Sequence, residues 1–172
     1  GRRGISAVLV DEKPSTAFNP QANATQARTM EHYRRLGLAQ DVRAQGLPSE
    51  YPTDIAYFTR YATYELARFS LPSAKQATDV IKRLSGSWSA AELPHRVSQK
   101  FVETMLRKHA EKLSGISVNY GWRLVSFHQD ADGVTGVIEK ADGSARQNIR
   151  DIRASYLVGA DGPRSKVREA LG

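Results

Sequence analysis

The chain has 172 residues, 40% of them hydrophobic, no cysteine and a formal net charge of +7. That length and apolar content suit one soluble domain or parts of two, and without cysteine there is neither a disulfide framework nor a cysteine metal site. No run reaches the ~18 apolar residues of a membrane span, and no secretory signal is expected at the N-terminus. The 25 Lys and Arg are interleaved with 18 acidic residues, and the pairs Arg2-Arg3, Arg34-Arg35 and Lys82-Arg83 lie far apart. No helix-turn-helix or RNA-binding signature accompanies them, so nucleic acid is not an expected partner. The basic balance suits dinucleotides and anionic substrates, and the cytoplasm is the expected compartment.

In chain order, residues 5–10 form an apolar run, broken only by Ser6, that ends in Asp11-Glu12. Such a run predicts a buried parallel strand. An acid at its carboxyl end is either solvated or an acceptor for ribose hydroxyls. Residues 25–36 predict a helix capped by Thr25, packed through Ala27, Met30 and Tyr33, and ended by Gly37. Glu31 and Arg35 would pair at i,i+4 on its surface, and Arg28 stands in its first turn. Residues 51–94 change character: 55–61 and 64–71 are aromatic and β-favouring and predict two antiparallel strands. Tyr57, Tyr61, Tyr64 and Phe69 are sheet core or the wall of an aromatic pocket, core being the commoner fate. Residues 85–91, with Trp88, read as a loop.

Gln99 leads into a helix over residues 100–113 with an apolar stripe of Phe101, Val102, Met105, Leu106, Ala110 and Leu113. His95 has no spaced nucleophile or metal partner and reads as structural; His109 reads as a surface residue. Residues 116–153 predict a four-stranded β-meander, with Asp132-Gly133 and Asp142-Gly143 as hairpin signals. A short strand at 156–158 then runs through Gly159-Ala160-Asp161-Gly162 into a basic helix that ends near Gly172. A strand passing through a glycine-rich turn into a helix brings backbone N–H groups close to a phosphate. Asp161 adds an acceptor for a ribose or ribityl hydroxyl. An ordinary strand-to-helix turn is the plainer alternative.

The segment Leu157-Val158-Gly159-Ala160-Asp161-Gly162-Pro163-Arg164-Ser165-Lys166-Val167-Arg168 resembles the Asp-Gly fingerprint of FAD-dependent aromatic monooxygenases. That family includes para-hydroxybenzoate hydroxylase, phenol hydroxylase and the polyketide hydroxylases. Three further blocks resemble it in the same order. They are the strand ending at Glu12, then Pro20-Gln21-Ala22 with Ala27-Arg28-Thr29-Met30-Glu31 and Leu36-Gly37-Leu38, then Gln99 with Glu103 and Leu106. The resemblance implies an α/β fold: an FAD-binding, Rossmann-like domain of the glutathione-reductase type over residues 1–50 and 95–172, its β-meander at about 116–153. Residues 51–94 would belong to an inserted β-rich substrate domain.

By the same resemblance, Glu12 meets a ribose and Gln99 the ribityl chain of the flavin. Arg28 is either a surface residue of its helix or a first-turn contact near the cofactor, and Asp161 and Gly162 touch the flavin and serve NAD(P)H. Gln21 stands where many members carry arginine near the pyrophosphate; members like phenol hydroxylase also place glutamine there. Gly1-Arg2-Arg3-Gly4 resembles the end of the helix after the family's Gly-x-Gly-x-x-Gly turn. The chain is therefore expected to be a piece of a longer enzyme, inactive by itself, that lacks this turn and the C-terminal part. The implied activity uses FAD, NAD(P)H and O2 to hydroxylate an aromatic, phenolic substrate. The cofactor carries that chemistry, so no catalytic side chain is named and no metal is expected. A reductase or halogenase of the same fold, or a non-catalytic dinucleotide-binding or interaction domain, are the alternatives.

Overall fold

The computed structural model describes residues 1–19, 21–60, 63–83, 90–143 and 148–172, with the backbone alone of Ile81. Expectations that fall on Pro20, Tyr61, Trp88 and Gln147 lie outside the described residues. Helices and strands are mixed in an α/β fold. Along the chain run β1 (Ala7–Asp11), β2 (Ala24–Thr25), α1 (Ala27–Leu36), α2 (Ala39–Ala44), β3 (Ile55–Phe58), β4 (Glu65–Phe69), α3 (Ala74–Arg83) and β5 (His95–Arg96). Then follow α4 (Gln99–Glu111), β6 (Ile116–Tyr120), β7 (Trp122–Asp130), β8 (Gly133–Lys140), β9 (Ile149–Ala154) and α5 (Lys166–Leu171). The chain divides into two compact units, residues 16–109 and residues 1–15 with 110–172.

In the unit of residues 16–109, helical spacing builds the core. Met30 and Tyr33 share one stripe of α1, and Val102, Met105 and Leu106 share one of α4. These side chains pack with Ala39, Val42 and Val97, and Met30 and Val42 are 0% exposed. The helix α1 starts later than the expected cap. Its N-cap is Gln26, without a side-chain capping bond, because Thr25 is drawn into an antiparallel ribbon opposite His95, with Ala24 opposite Arg96. Gly37 ends α1 as expected, in the left-handed conformation.

The helix α3 arises within a stretch read as strands and loop. It opens on a reciprocal capping box: the Gln76 N–H donates to Ser73 Oγ at 3.2 Å and the Ser73 N–H to Gln76 Oε1 at 3.0 Å. Strands β3 and β4 pair antiparallel as expected. Tyr57 and Phe69 meet edge to face across them, ring centroids 6.2 Å apart, and Arg68 bridges Asp54 and Glu65.

In the other unit, β1 is a parallel strand as expected, and its partner is β6, from Ala7 opposite Ile116 to Asp11 opposite Tyr120. Residues 116–120 therefore leave the expected meander, which is the three-stranded antiparallel sheet β7-β8-β9. Strand periodicity reports which residues share a face and carries no information about the neighbouring strand. Nor is β1 buried, since Val8 and Leu9 are 49% and 47% exposed. At the β7–β8 turn the Asp130 side chain accepts the Asp132 N–H at 2.9 Å. Trp122, Val134 and Ile138 are buried, and Lys140 Nζ and Arg150 Cζ lie over the Trp122 ring, 4.8 and 4.4 Å from its centroid. Residues 156–158 are not a strand. An apolar run becomes a strand only when a neighbouring backbone takes up its N–H and C=O groups, and no described strand pairs with this one.

Candidate functional site

The β2–β5 ribbon organises the candidate residues of the 16–109 unit. Beyond the paired residues, the Val97 N–H donates to the Asn23 carbonyl at 3.1 Å and the Gln99 N–H to the Ala22 carbonyl at 3.0 Å. Residues 21–25 thus run alongside residues 95–99, and Gln99 arrives at the first turn of α4 beside Gln21. The Gln21 N–H donates to Gln99 Oε1 at 3.3 Å, across 78 positions of sequence. Gln99 Nε2 donates to Glu103 Oε1, and Glu103 Oε2 accepts the Ala17 N–H at 2.7 Å. The sequence shows Gln99 and Glu103 at i,i+4, a spacing that places them on one helix face. It gives no sign that Ala17 and Gln21 come to the same place.

Arg28 is engaged elsewhere. Its side chain is 78% exposed and its Nη1 donates to Glu31 Oε2 at 2.8 Å. Glu31 thus pairs one turn back along α1, where Arg35 was the expected partner. Its other oxygen accepts the Ala91 N–H at 3.1 Å. The Arg28 bond, then the Ala91 bond, hold its carboxyl below the ordinary range. Glu92 continues this attachment of residues 91–93 to the helices, accepting from Arg43 Nη2 at 2.9 Å with Arg34 Nε at 3.8 Å.

His95 is buried, as a structural residue would be. Burial first, and the cationic Arg43 second, push its pKa below 6.5. One ring nitrogen bonds the Arg43 backbone, and Nε2 has no hydrogen-bond partner among the described residues. Gly46 sits against the ring: a Cβ there would overlap His95 Nε2 and the Arg96 carbonyl oxygen. His109 departs from the expected surface position. It is partly buried, and its Nε2 likewise lacks a partner among the described residues. An open cavity of about 840 Å³ borders the ribbon, with Asn23, Gly46, Pro52, Ile55, Arg96 and Ser98 among its walls. Tyr57, Tyr64 and Phe69 do not line this cavity and are more than half exposed.

In the other unit, Glu12 is exposed immediately beyond β1. The neighbouring Asp11 is half-buried, and its Oδ1 accepts the Lys13 N–H at 2.9 Å. Glu12 is the more exposed of the two acidic residues at this strand end. Asp161 is bound by its own helix. Its Oδ1 accepts the Ser165 hydroxyl and its Oδ2 accepts the Val167 N–H at 3.2 Å. Ser165 in turn caps α5, its Oγ accepting the Arg168 N–H at 3.1 Å. These contacts, Ser165 foremost, hold the Asp161 carboxyl below its ordinary value.

The two glycines of this turn answer different demands. Gly162 has φ 78° with open space where a Cβ would point, so the backbone conformation requires it. At Gly159 a Cβ would lie 2.8 Å from the Val167 Cβ, so the packing of α5 requires it. Among the described residues no group of three or more His, Asp or Glu could hold a metal ion, and no helix is long and apolar enough to cross a membrane.

A family model described as an FAD binding domain matches residues 1–172, the whole chain. The chain belongs to the FAD binding domain family. This FAD binding domain chain is 32% identical over 172 residues to a putative polyketide hydroxylase of Streptomyces halstedii, covering 100% of its own length and 29% of the relative's. It is 31% identical over 171 residues to the phenol 2-monooxygenase of Pseudomonas sp. strain EST1001, covering 99% of this chain and 27% of that enzyme. Among solved structures, aklavinone-11 hydroxylase in ternary complex with FAD and aklavinone superposes with a TM-score of 0.79 at 30% identity. That match covers 99% of this chain and 31% of the hydroxylase. The flavin-dependent monooxygenase PieE, solved with FAD and substrate, gives a TM-score of 0.81 at 28% identity, covering 99% and 28%. The chain thus spans less than a third of the length of these relatives.

Proposed function

We propose that this chain serves as part of a flavoprotein monooxygenase that uses FAD, NAD(P)H and O2 to hydroxylate an aromatic, phenolic substrate. The observation that carries the proposal is the match of the whole chain to the FAD binding domain family, joined to relatives described as phenol and polyketide hydroxylases. In this reading residues 1–50 and 95–172 contribute to the FAD-binding domain and residues 51–94 to the substrate domain. The protein acts in the cytoplasm.

The residues present fit FAD. Glu12 offers an exposed carboxylate at the carboxyl end of a parallel strand, where ribose hydroxyls find an acceptor. The open space beside Gly162 admits a ligand close to the backbone. Gln99 keeps one amide hydrogen and one oxygen lone pair beyond its two protein contacts, enough to donate to and accept from a ribityl hydroxyl. Asp161 stiffens the turn and keeps further lone pairs. Gln21 would offer hydrogen bonds to the anionic portion of the cofactor, and Arg28, 78% exposed but paired with Glu31, would bring charge there only by giving up that pair. When bound, the flavin supplies the redox chemistry; these side chains bind it, orient it and exclude water.

The test is to express the full open reading frame that carries this chain and screen phenols under 18O2. The expected result is NAD(P)H and O2 consumption accelerated by a phenol, with a product one 18O atom heavier. Label entering from water, a halide requirement, or NAD(P)H oxidation with no oxygenated product would overturn the reading.

A further inference from the structure

We infer that Glu103 is a positioning residue that fixes the Gln99 amide beside Gln21 and fastens Ala17 to α4. The argument begins with the two partners of Gln99. A backbone N–H can only donate, so the atom facing Gln21 must be the amide oxygen. A carboxylate can only accept, so the atom facing Glu103 must be the amide nitrogen. The two partners leave a single orientation, and turning the amide over would set donor against donor at one end and acceptor against acceptor at the other. Glu103 also accepts the Ala17 N–H at 2.7 Å through its second oxygen. One carboxylate therefore holds two things at once: the facing of an amide on its own helix, and a backbone segment 86 positions away in sequence.

Gln99 alone could not achieve this. Its long side chain has several rotamers of similar energy, and its contact with Gln21 is a single bond at 3.3 Å. With Glu103 in place, one N–H and one lone pair of the amide remain beyond these two contacts, beside the Gln21 backbone. The consequence for the cofactor rests on the flavin reading above: Glu103 acts on FAD only through Gln99, Ala17 and Gln21.

The experiment uses the 15N-labelled chain and the variants Glu103→Ala, Glu103→Gln, Gln99→Ala and Glu103→Ala with Gln99→Ala. In the cofactor-free chain, Glu103→Ala should move the Gln99 side-chain NH2 signals to free-glutamine positions. It should also speed hydrogen exchange of the Ala17 amide by about tenfold or more, the effect of a lost charge-assisted bond, while the Met30 and Val42 amides keep their protection. Glu103→Gln retains the size but only one acceptor oxygen, so one of the two contacts should survive. If Glu103→Ala fails to fold, this variant carries the test.

FAD titration of the full open reading frame that carries this chain should then show Glu103→Ala weakening binding roughly 2- to 10-fold with Gln99 present and by no further factor with Gln99→Ala. Unmoved Gln99 and Ala17 signals would overturn the positioning role. So would protection lost evenly across the core in Glu103→Gln, or equal weakening of FAD in both backgrounds. Gln99→Ala that binds FAD like the unaltered chain would count against the flavin reading alone, the NMR result still deciding Glu103.

Discussion

The turn at Asp161 and the patch around Gln99 are both polar constellations built on a helix start, yet they are held by opposite means. Asp161 reaches Ser165 and Val167, four and six residues away. Its geometry is local and belongs to a six-residue helix whose residues are all exposed or half-buried. Gln99 is held across 78 positions by Gln21, and the segment carrying it leads through Val97 into a fully apolar core. A local turn tolerates damage elsewhere in the chain, because its hydrogen bonds close within six residues. A patch assembled from distant segments exists only while the core beneath it is intact.

Four measurements break or sharpen that contrast, beginning with the largest effect. Met30→Ala removes a fully buried side chain and should cost about 3 kcal/mol in urea unfolding of the 16–109 unit. The Asp161 turn should keep its amide protection throughout. If that turn melted together with the Met30 core, the contrast would be false.

Gly46→Ala comes next. The new methyl overlaps His95 and the Arg96 carbonyl, and overpacking of this kind costs about 2 kcal/mol. Because the overlap lies on the ribbon, the Gln21–Gln99 contact should loosen before the core does, read as faster exchange of the Gln21 amide than of Val42.

A smaller effect should follow from pH. Burial and Arg43 depress the His95 pKa below 6.5, so as pH falls the unfolded chain takes up the proton before the folded chain does. The stability contributed by a neutral His95 is complete above about pH 6.5 and is lost progressively below it. Urea midpoints of the 16–109 unit should therefore decline from pH 7 to pH 5, and His95→Asn should flatten that decline. His95→Ala should lower stability with no separate effect on flavin content.

The smallest effect is assigned to Asp161. Its carboxyl is depressed by Ser165 and the Val167 amide, so its support of α5 is present above about pH 4 and fades as pH falls further. Asp161→Asn should speed Val167 exchange and leave the global unfolding midpoint unchanged; a shifted midpoint would show that the turn bears on the whole unit.

Local chemistry made much of this legible in sequence. Gly37 ends α1, the Asp132-Gly133 turn joins β7 to β8, and the stripe of Val102, Met105 and Leu106 marks α4, because each signal acts within a few residues. The pairing of β1 with β6 was hidden, since the side-chain alternation of a strand is the same whichever neighbour it finds. The two-residue strands β2 and β5 have no period at all, so the ribbon that takes Thr25 from α1 left no trace. The run at 156–158 has strand composition without a strand partner. The candidate residues Glu12, Arg28, Gln99, Asp161 and Gly162 were named from residue type and motif resemblance. The contact of Gln21 with Gln99 and the second grip of Glu103 on Ala17 depend on chain closure over long separations, which no local pattern encodes.

Trp122 offers an optical consequence. Its indole is buried under two cations, Lys140 and Arg150, in the unit that contains the Asp161 turn. The chain has two tryptophans, Trp88 and Trp122. A Trp88→Phe chain would therefore carry a single tryptophan whose emission, excited selectively over that of the tyrosines and shifted to the blue while the β7-β8-β9 sheet is closed, reports the unfolding of that sheet. The two units can then be followed separately in matched samples, amide exchange on Met30 marking one and the emission maximum of Trp122 the other.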